Sequence, residues 1–421
     1  MKRLLLIALL CSSSLYAQKP NFVIIMVDDM GYADIGCYGA SVIETPQLDM
    51  IASQGMKMRN FSNTAKCHVS RTSLMSGLWH NQAGSSSLQY AVTFPQVLQQ
   101  SGYHTGMTGK WHLSKHPMDW GFDKYFGHLN GYTDCVGGNK YFTDQREVFD
   151  EFGENAEEFY STDAFTDYAI EYINEWEKDD EKPFVLYIAY NAPHSPLQAP
   201  KELIEKYRGK FKDGWEANQK KRYENQKKLG VIDKATILPE WPSHHRNWNE
   251  ISELDKSWED YRRAIYAAMV ESLDTNIGRL KAELIAKGEW DNTVFLFFSD
   301  NGSDSREINR NPYGNPWEAG YHVQVGTEWA GVGNTPYRWY KGNQHEGGIS
   351  TPMIISWPEG LKTKGWNDFR GHIVDIYPTL LELADVAYPQ QYEGKTTTPL
   401  EGESLGPVFT NTNHQRTKPI Y

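Results

Sequence analysis

A chain of 421 residues with a formal net charge of −12 is poorly suited to bind nucleic acid, which is itself a polyanion. If its ligand is an anion, the positive charge must be concentrated locally. A chain of this length buries a sizeable core, either as one large α/β domain or as two smaller domains.

The first residues, MKRLLLIALLCSSSLYAQKP, resemble an export signal. Two cations precede a short apolar run, and small residues follow it up to Ala17, which is typical of a secretory signal peptide. The run is too short to span a bilayer. Cys11 offers a lipoprotein signal as the alternative, but Leu10 is unsuited to the position before it. We therefore predict a signal peptide over residues 1–17, a periplasmic or secreted protein and no transmembrane segment.

Three cysteines remain after this signal: Cys37, Cys67 and Cys135. An odd number of cysteines in an oxidising compartment leaves at least one thiol outside any disulfide within the chain. Cys37 and Cys135 could pair, although their spacing alone does not decide this.

Continuous apolar runs of strand length alternate with helical patterns. Such runs favour strands that are buried on both faces of a mainly parallel sheet. They lie at 21–27, 183–190, 293–299 and 353–357. Apolar residues at three- and four-residue steps predict helices over 261–287 and 373–384. The alternation predicts a three-layer α/β fold.

Two long segments interrupt this pattern. Residues 209–248 are highly charged, which favours a solvated surface insertion with a short helix. Residues 303–342 combine Gly, Asn and Pro with many aromatic residues, so this segment is a loop region that either frames a pocket or fills a core.

Polar side chains follow three of the predicted strands directly: Asp28 and Asp29, then His194, then Asp300 and Asn301. Ligands bind at the carboxyl ends of strands in parallel sheets, so these residues are expected to meet. Carboxylate and amide oxygens suit Ca²⁺ better than Zn²⁺. Each group taken alone could instead cap an ordinary turn. Together they favour a metal site.

The stretch AKCHVSR places Cys67 at the N-terminal end of a short predicted helix, residues 70–77. A helix N-terminus favours an anion, and Arg71 reaches the same place from one turn further on. A small buried hydrophobe or half of a disulfide is the usual alternative for such a cysteine. Beside an oxygen-ligand metal, Cys67 is better interpreted as a nucleophile or as its precursor.

Further candidate side chains lie in short Gly-containing segments. MTGKWH carries Lys110 and His112 two residues apart, so that both can face one way on an extended segment. Flanking prolines hold His194 in NAPHSP, and WYKGNQHEGG supplies Lys341.

These segments together resemble the sulfatase family. CHVSRTSLMSG is similar to its signature, in which a cysteine within C-x-P-S-R is oxidised to formylglycine. Other similar blocks follow in the family's order, and the region around YRRAIYAAMVESLDTNIGRL resembles bacterial arylsulfatases in particular. These blocks are IIMVDDMGYADIGCYG, ETPQLDMIASQGMKMRNF, TGKWHL, APHSP, SDNG and YKGNQHEGGISTPMIISWP. The resemblance implies an alkaline-phosphatase-like α/β sandwich, with the catalytic domain over residues 18–385.

The resemblance also implies a role for each candidate residue. Asp28, Asp29, Asp300 and Asn301 match the Ca²⁺ ligands, together with the formylglycine made from Cys67. Arg71 and Lys110 match residues that hold formylglycine and sulfate, and Lys341 matches a sulfate contact near the leaving oxygen. His112 and His194 match the two catalytic histidines.

The implied reaction is hydrolysis of an aryl sulfate or a sulfated carbohydrate. A hydroxyl of the formylglycine hydrate attacks sulfur, and His194 as imidazolium protonates the departing alcohol or phenol with help from Lys341. His112 then removes the proton of the second hydroxyl, the carbonyl re-forms and sulfate leaves. A maturation enzyme that generates formylglycine is the implied partner.

Two features depart from the family pattern. Val69 stands where the family usually has proline, and residues 386–421 are expected to begin a C-terminal subdomain whose small antiparallel sheet is incomplete. Two other functions stay open: a formylglycine-dependent phosphonate or phosphate ester hydrolase of the same superfamily, and a non-catalytic binder of sulfated glycans.

Overall fold

A computed structural model describes residues 19–138, 140–149, 158–179, 182–311 and 313–420. The predicted signal peptide, with Cys11, lies outside the described residues. Within these ranges, no helix has both the length and the apolar character needed to cross a bilayer.

The described strands form one large sheet and one small one. The bounds are β1 (Asn21–Val27), β2 (Met56–Ser62), β3 (His104–Lys110), β4 (Lys124–His128), β5 (Phe142–Asp144), β6 (Glu147–Val148), β7 (Phe184–Ala189), β8 (Thr293–Ser299), β9 (Met353–Ser356), β10 (Gly365–His372), β11 (Gln391–Tyr392) and β12 (Lys395–Thr396). The large sheet has the order β10-β2-β9-β8-β1-β7-β3-β4-β5-β6, and β11 pairs with β12.

Most pairs in the large sheet are parallel, and β1 lies between β7 and β8. β9 runs antiparallel to both of its neighbours, as does β5. All residues of β1, β7 and β8 are buried, as the continuous apolar runs predicted. The predicted strands 21–27, 183–190, 293–299 and 353–357 are therefore confirmed to within one residue at each end.

Helices cover both faces of this sheet. Their bounds are α1 (Pro46–Gln54), α2 (Cys67–Ser76), α3 (Phe94–Gln100), α4 (Ser161–Asp179), α5 (Lys201–Tyr207), α6 (Trp215–Leu229), α7 (Glu253–Ala286), α8 (Thr327–Gly333), α9 (Glu346–Ile349), α10 (Ile376–Leu383) and α11 (Gly406–Thr410). Alternate residues of β1 point into two separate apolar clusters, one shared with α4 and α7 and the other with α2, α3 and α10. The predicted three-layer α/β sandwich is confirmed.

Helix α7 begins eight residues before the predicted start at residue 261. The Ser252 side chain accepts a hydrogen bond from the Asp255 N–H and so caps the first turn. The apolar periodicity begins only at residue 261, so it missed the first two turns, which are mostly polar and mostly exposed. Similarly, α10 occupies most of the predicted helix at 373–384, after a short 3₁₀ turn.

Helix α6 corrects the prediction of a solvated insertion over residues 209–248. Trp215 is fully buried, and Tyr223 and Arg222 are nearly so, while the lysines of this helix face solvent. Its high charge concealed an inner face that packs on the turn after β1. Arg222 lies on this inner face, where it is paired with a buried carboxylate and is not solvated.

The partner of Arg222 is Asp34, a fully buried carboxylate in the turn after β1. Asp34 also pairs with Arg263 of α7 and accepts a hydrogen bond from the Tyr266 hydroxyl at 2.7 Å. The Nη1 atom of Arg222 lies 2.6 Å from the carboxylate. Burial raises the pKa of Asp34, but Arg263 and Arg222 outweigh this effect and hold it below its usual value. One anion thus joins α6 and α7 to the turn that leads out of β1.

The segment after α10 packs into the apolar cluster shared by α2, α3 and α10. It contains the hairpin of β11 and β12 and then α11, whose Val408 and Phe409 are buried. The Arg416 side chain forms a salt bridge with the buried Asp375. That residues 386–421 form the start of a separate subdomain stays a prediction.

We expect Asp34→Ala to lower the free energy of unfolding by about 3–5 kcal/mol, because Arg222 and Arg263 would be left as buried cations without an anion. Urea unfolding measures this change. The matched control is Asp368→Ala, which removes an exposed carboxylate from its pair with Arg59 and should leave the unfolding curve nearly unchanged. Equal stability of the two variants would contradict the proposed importance of the Asp34 network.

Candidate active site

The three predicted strand ends meet at one edge of the large sheet. Because β7, β1 and β8 are neighbours in parallel register, His194, Asp28–Asp29 and Asp300–Asn301 converge there. Ligand atoms of Asp28, Asp29 and His194 lie within 4.8 Å of one another. The expectation that these side chains lie together is met.

The oxygens of this cluster are only partly used by the protein. The Asn301 amide nitrogen donates to an Asp29 oxygen at 2.5 Å, which fixes the amide with its oxygen directed elsewhere. Asp28 Oδ1, Asp29 Oδ2 and Asn301 Oδ1 are buried, and each lacks a hydrogen-bond partner among the described residues. Unsatisfied buried acceptors are costly. Carboxylate and amide oxygens are the donors that a hard divalent cation such as Ca²⁺ takes, so the residues present fit such an ion.

Three predicted cations surround these carboxylates. Lys110, the last residue of β3, is fully buried and pairs with Asp28. The Nη2 atom of Arg71 lies 3.4 Å from Asp28 and 3.2 Å from Asp300. Lys341 Nζ donates to Asp29 at 2.6 Å. The structure therefore brings Arg71, Lys110 and Lys341 to the metal-ligand candidates, as predicted.

The charges in this cluster balance: three carboxylates face three cations. The pKa values of Asp28 and Asp300 are nevertheless shifted in opposite directions. Burial raises the pKa of Asp28, but Lys110, His194 and Arg71 outweigh burial and hold it well below its usual value. Burial and the neighbouring Asp28 raise the pKa of Asp300. A divalent cation would favour the ionised form of Asp300 and leave the site with net positive charge, which suits an anionic substrate.

Cys67 is the first residue of α2, which begins three residues before the predicted start at residue 70. Its Sγ lies within 4.8 Å of carboxylate oxygens of Asp28 and Asp300. The Ser70 hydroxyl donates to the Asp300 carbonyl at 2.6 Å and holds this end of the helix against the strand end. Burial raises the pKa of the Cys67 thiol above its usual value. As a plain cysteine, Cys67 is therefore a thiol near neutral pH and not a ready thiolate nucleophile.

The two histidines both line the cleft that contains Cys67. His194 Nδ1 contacts the Ser195 carbonyl, and its Nε2 lies 3.5 Å from Asp29. Burial lowers the pKa of His194 to about 3, opposed by Asp28. In the protein without ligand this imidazole is therefore neutral, whereas its predicted role requires an imidazolium. That role stays a prediction.

The prediction that Lys110 and His112 share an extended segment is not met, because the strand ends at Lys110 and His112 has a backbone φ of +57°. Burial, with Lys110 and Arg71, lowers its pKa to about 2, which keeps the imidazole neutral as a base requires. A Cβ at Gly131 would lie 2.6 Å from His112 Nε2, so only glycine leaves the imidazole in place. The sequence analysis missed Gly131, because a single loop glycine carries no signal of the side chain it accommodates.

The cleft itself has a volume of about 360 Å³, and Cys67, both histidines and Lys341 line it. Asp304 and Arg306 are among the lining residues that sequence analysis missed. The Asp304 carboxylate is 2.6 Å from Arg306 Nε and holds that guanidinium at the rim. Both follow the strand end at Asp300 in an irregular loop, where no periodicity indicates direction.

Cys37, Cys67 and Cys135 are all free thiols in the structure. The possible Cys37–Cys135 disulfide is thus not formed: Cys37 lies beside Asp49, whereas Cys135 accepts a hydrogen bond from Asn191 at 3.5 Å.

A model of the sulfatase family matches residues 20–386. The chain is 32% identical to an uncharacterised sulfatase of Schizosaccharomyces pombe, over 90% of this chain and 77% of that protein. It is 30% identical to the arylsulfatase of Klebsiella aerogenes, over 93% of this chain and 92% of that protein. The crystal structure of Ps i-CgsB in complex with k-i-k-neocarrahexaose is similar in fold, with a TM-score of 0.69 and 24% identity, over 94% of this chain and 77% of that one.

The fold is that of the alkaline-phosphatase-like superfamily. Within that superfamily, the chain belongs to the sulfatase family and is a sulfuric ester hydrolase.

Proposed function

We propose that this sulfatase hydrolyses aryl sulfates or sulfated carbohydrates with formylglycine at position 67 and one Ca²⁺ held by Asp28, Asp29, Asp300 and Asn301. The observation that carries the proposal is the placement of Cys67 Sγ within 4.8 Å of oxygens of Asp28 and Asp300, at a sheet edge where three buried oxygens have no hydrogen-bond partner in the described part of the chain. The protein is exported by its predicted signal peptide and is periplasmic or secreted.

The calcium ion would supply positive charge to the sulfate oxygens and to the group at position 67. Formylglycine, as its hydrate, would supply a nucleophilic hydroxyl and a second hydroxyl through which the sulfated product can break down. A cysteine thiol of raised pKa supplies neither, which supports the proposal that Cys67 is a precursor.

The cations of the cleft bind and orient the sulfate. Lys341 Nζ is nearly buried, yet it lines the cavity, so it can hold a sulfate oxygen near the leaving group. Arg71 and Lys110 lie deeper, where their pairs with Asp28 and Asp300 fix them before substrate arrives. Fixed charges of this kind need no rearrangement as the negative charge shifts during sulfuryl transfer.

The histidines move the protons. His194 Nδ1 is held by the Ser195 carbonyl, so Nε2, which lies 3.5 Å from Asp29, is the nitrogen that would donate a proton to the departing oxygen once the ring is protonated. An anionic ester beside the ring favours that protonated form. His112, neutral and placed by Gly131, accepts the proton of the second hydroxyl.

We expect the exported protein to carry formylglycine at position 67. Trypsin cleaves after Lys66 and Arg71 and releases the peptide CHVSR, whose mass decreases when the CH₂SH side chain becomes CHO. The maturation enzyme that generates formylglycine must accept Val69 in place of proline for this to occur. Mass spectrometry of that peptide is the measurement, in a host that matures other sulfatases.

Two variants make this test specific. Val69→Pro restores the usual family pattern and should be converted at least as completely as the wild type. Cys67→Ala should be neither converted nor active on 4-nitrophenyl sulfate. An active wild-type protein whose peptide keeps an unmodified thiol would contradict the proposed nucleophile.

Added Ca²⁺ should raise the midpoint of thermal unfolding of protein pretreated with a chelator, because an ion that binds only the folded state stabilises it. At a free concentration a hundredfold above Kd the gain is about 2.7 kcal/mol. Calorimetry with and without Ca²⁺ measures the shift, independently of activity.

Asp300→Asn should lose most of this shift, because a neutral amide replaces a charged ligand. Asp368→Asn, at an exposed carboxylate, should keep it. A shift of the same size in both variants would place the bound ion elsewhere on the protein.

A further inference from the structure

A second cavity adjoins the catalytic cleft. Its volume is about 530 Å³, within the range of ligand sites, and it shares Gly131 and Tyr132 with the cleft above Cys67. Tyr132 is half exposed and lines both spaces. A substrate bound at Cys67 can therefore extend past Tyr132 into this second cavity, called here the outer compartment.

Arg310, Gly320 and His322 of the loop that follows β8 form the outer wall of this compartment, and this part of the loop is called the arm. Backbone hydrogen bonds join Arg310 and Asn311 to His322, the shortest at 3.0 Å. The Asp134 carboxylate accepts hydrogen bonds from the Gly320 N–H at 3.3 Å and from Gln198 Nε2 at 3.2 Å. These contacts tie the arm to the segment after β4, so its side chains hold a defined position.

The arm carries two arginines with different partners. Arg306, at the catalytic cleft, forms a salt bridge with Asp304. Arg310, four residues further on, lines the outer compartment and forms no salt bridge with a carboxylate among the described residues. Its Nη1 donates to the Tyr132 hydroxyl at 3.4 Å, which directs the guanidinium toward the shared ring. The charge of Arg306 is neutralised locally, whereas that of Arg310 is available to a ligand.

We propose that the outer compartment binds the sugar residue next to the sulfated one, and that Arg310 selects substrates in which this neighbour carries its own sulfate or carboxylate. The proposal rests on the proposed sulfatase function of the cleft. Arg310 presents a planar fork of donors that matches such an anion. The Tyr132 ring offers an apolar face for the sugar, and the hydroxyl groups of the sugar meet the polar wall that includes Asp134.

The chemistry of the compartment favours a polar sugar over a purely aryl leaving group as its occupant. Its lining combines a cation, a carboxylate and the imidazole of His322 with two tyrosines, which is a polar wall with two aromatic faces. An extended aryl group would leave Arg310 and Asp134 facing an apolar surface, at a desolvation cost. A charged sugar gives both groups partners.

The test compares matched pairs of ligands. One pair is N-acetylgalactosamine 6-sulfate and the chondroitin 6-sulfate disaccharide, and the other is N-acetylglucosamine 6-sulfate and a heparin disaccharide that contains it. In each pair, only the disaccharide carries a second anion on a neighbouring sugar. Affinity is measured by calorimetry in the Cys67→Ala background, which prevents turnover, and as inhibition of 4-nitrophenyl sulfate hydrolysis by the Cys67 protein.

We expect at least one disaccharide to bind about tenfold or more tightly than its monosaccharide, and Arg310→Ala to remove that advantage. The same variant should leave monosaccharide affinity and kcat/KM for 4-nitrophenyl sulfate within about twofold. Arg310→Lys keeps the charge but not the planar fork of donors, so its disaccharide affinity should lie between those of the protein with Arg310 and of Arg310→Ala. Arg370→Ala removes an exposed arginine from β10, at the opposite edge of the sheet, and should change none of these values.

The outcomes separate the two proposals. If disaccharides bind no more tightly than monosaccharides, or if their advantage is unchanged in Arg310→Ala, the proposed role of the outer compartment is wrong, even if 4-nitrophenyl sulfate is hydrolysed. An equal loss in Arg370→Ala also overturns it, because the effect is then one of overall charge. If disaccharide binding depends on Arg310 but no ligand is desulfated, the proposed sulfatase function is wrong and the proposed role of the outer compartment is supported.

Discussion

The burial of three carboxylates at one sheet edge is the constraint on which the rest of this structure depends. Asp28, Asp29 and Asp300 are fully buried, and ionised carboxylates can remain so only when cations and donors compensate them. The fold supplies that compensation from three directions: α2, the end of β3 and a loop before β9. Lys341 lines the cleft and Arg71 and Lys110 lie behind it, so the cations that compensate the buried carboxylates are also those proposed to bind the sulfate.

A second buried carboxylate extends this arrangement outward. Asp34 lies in the turn that follows Asp28 and Asp29. Its pairs with Arg222 and Arg263 join this turn to α6 and α7. The backbone of Ala33 is held as well, since Arg222 Nη1 donates to its carbonyl. The loop that orients Asp28 and Asp29 is therefore fixed at both ends, by β1 and by two helices. Ligand positions set in this way vary little on binding, which favours a preorganised site.

The sequence predicted the position of a residue where the pattern around that residue indicated it, and not elsewhere. Asp28 and Asp300 stand directly after long buried strands, so parallel pairing alone brings them together. Arg222 was hidden in a charged segment, because composition does not distinguish a solvated arginine from one paired with a distant buried aspartate. Gly131 and Arg310 lie in irregular loops, whose course depends on tertiary hydrogen bonds such as those of Gln198. The resemblance to sulfatases located the motif residues but not these, since they lie outside the motif blocks.

The hydrogen bond from Ser70 to the Asp300 carbonyl has a consequence for the order of events during synthesis. The two residues are 230 positions apart, so the wall that covers Cys67 does not exist until the strand end at Asp300 has been made. At translation rates of about 5–20 residues per second, this interval is on the order of 10 to 50 s. Throughout that time the Cys67 segment cannot be closed in by its final partner. The long sequence separation that slows folding thus leaves Cys67 open to the proposed maturation enzyme.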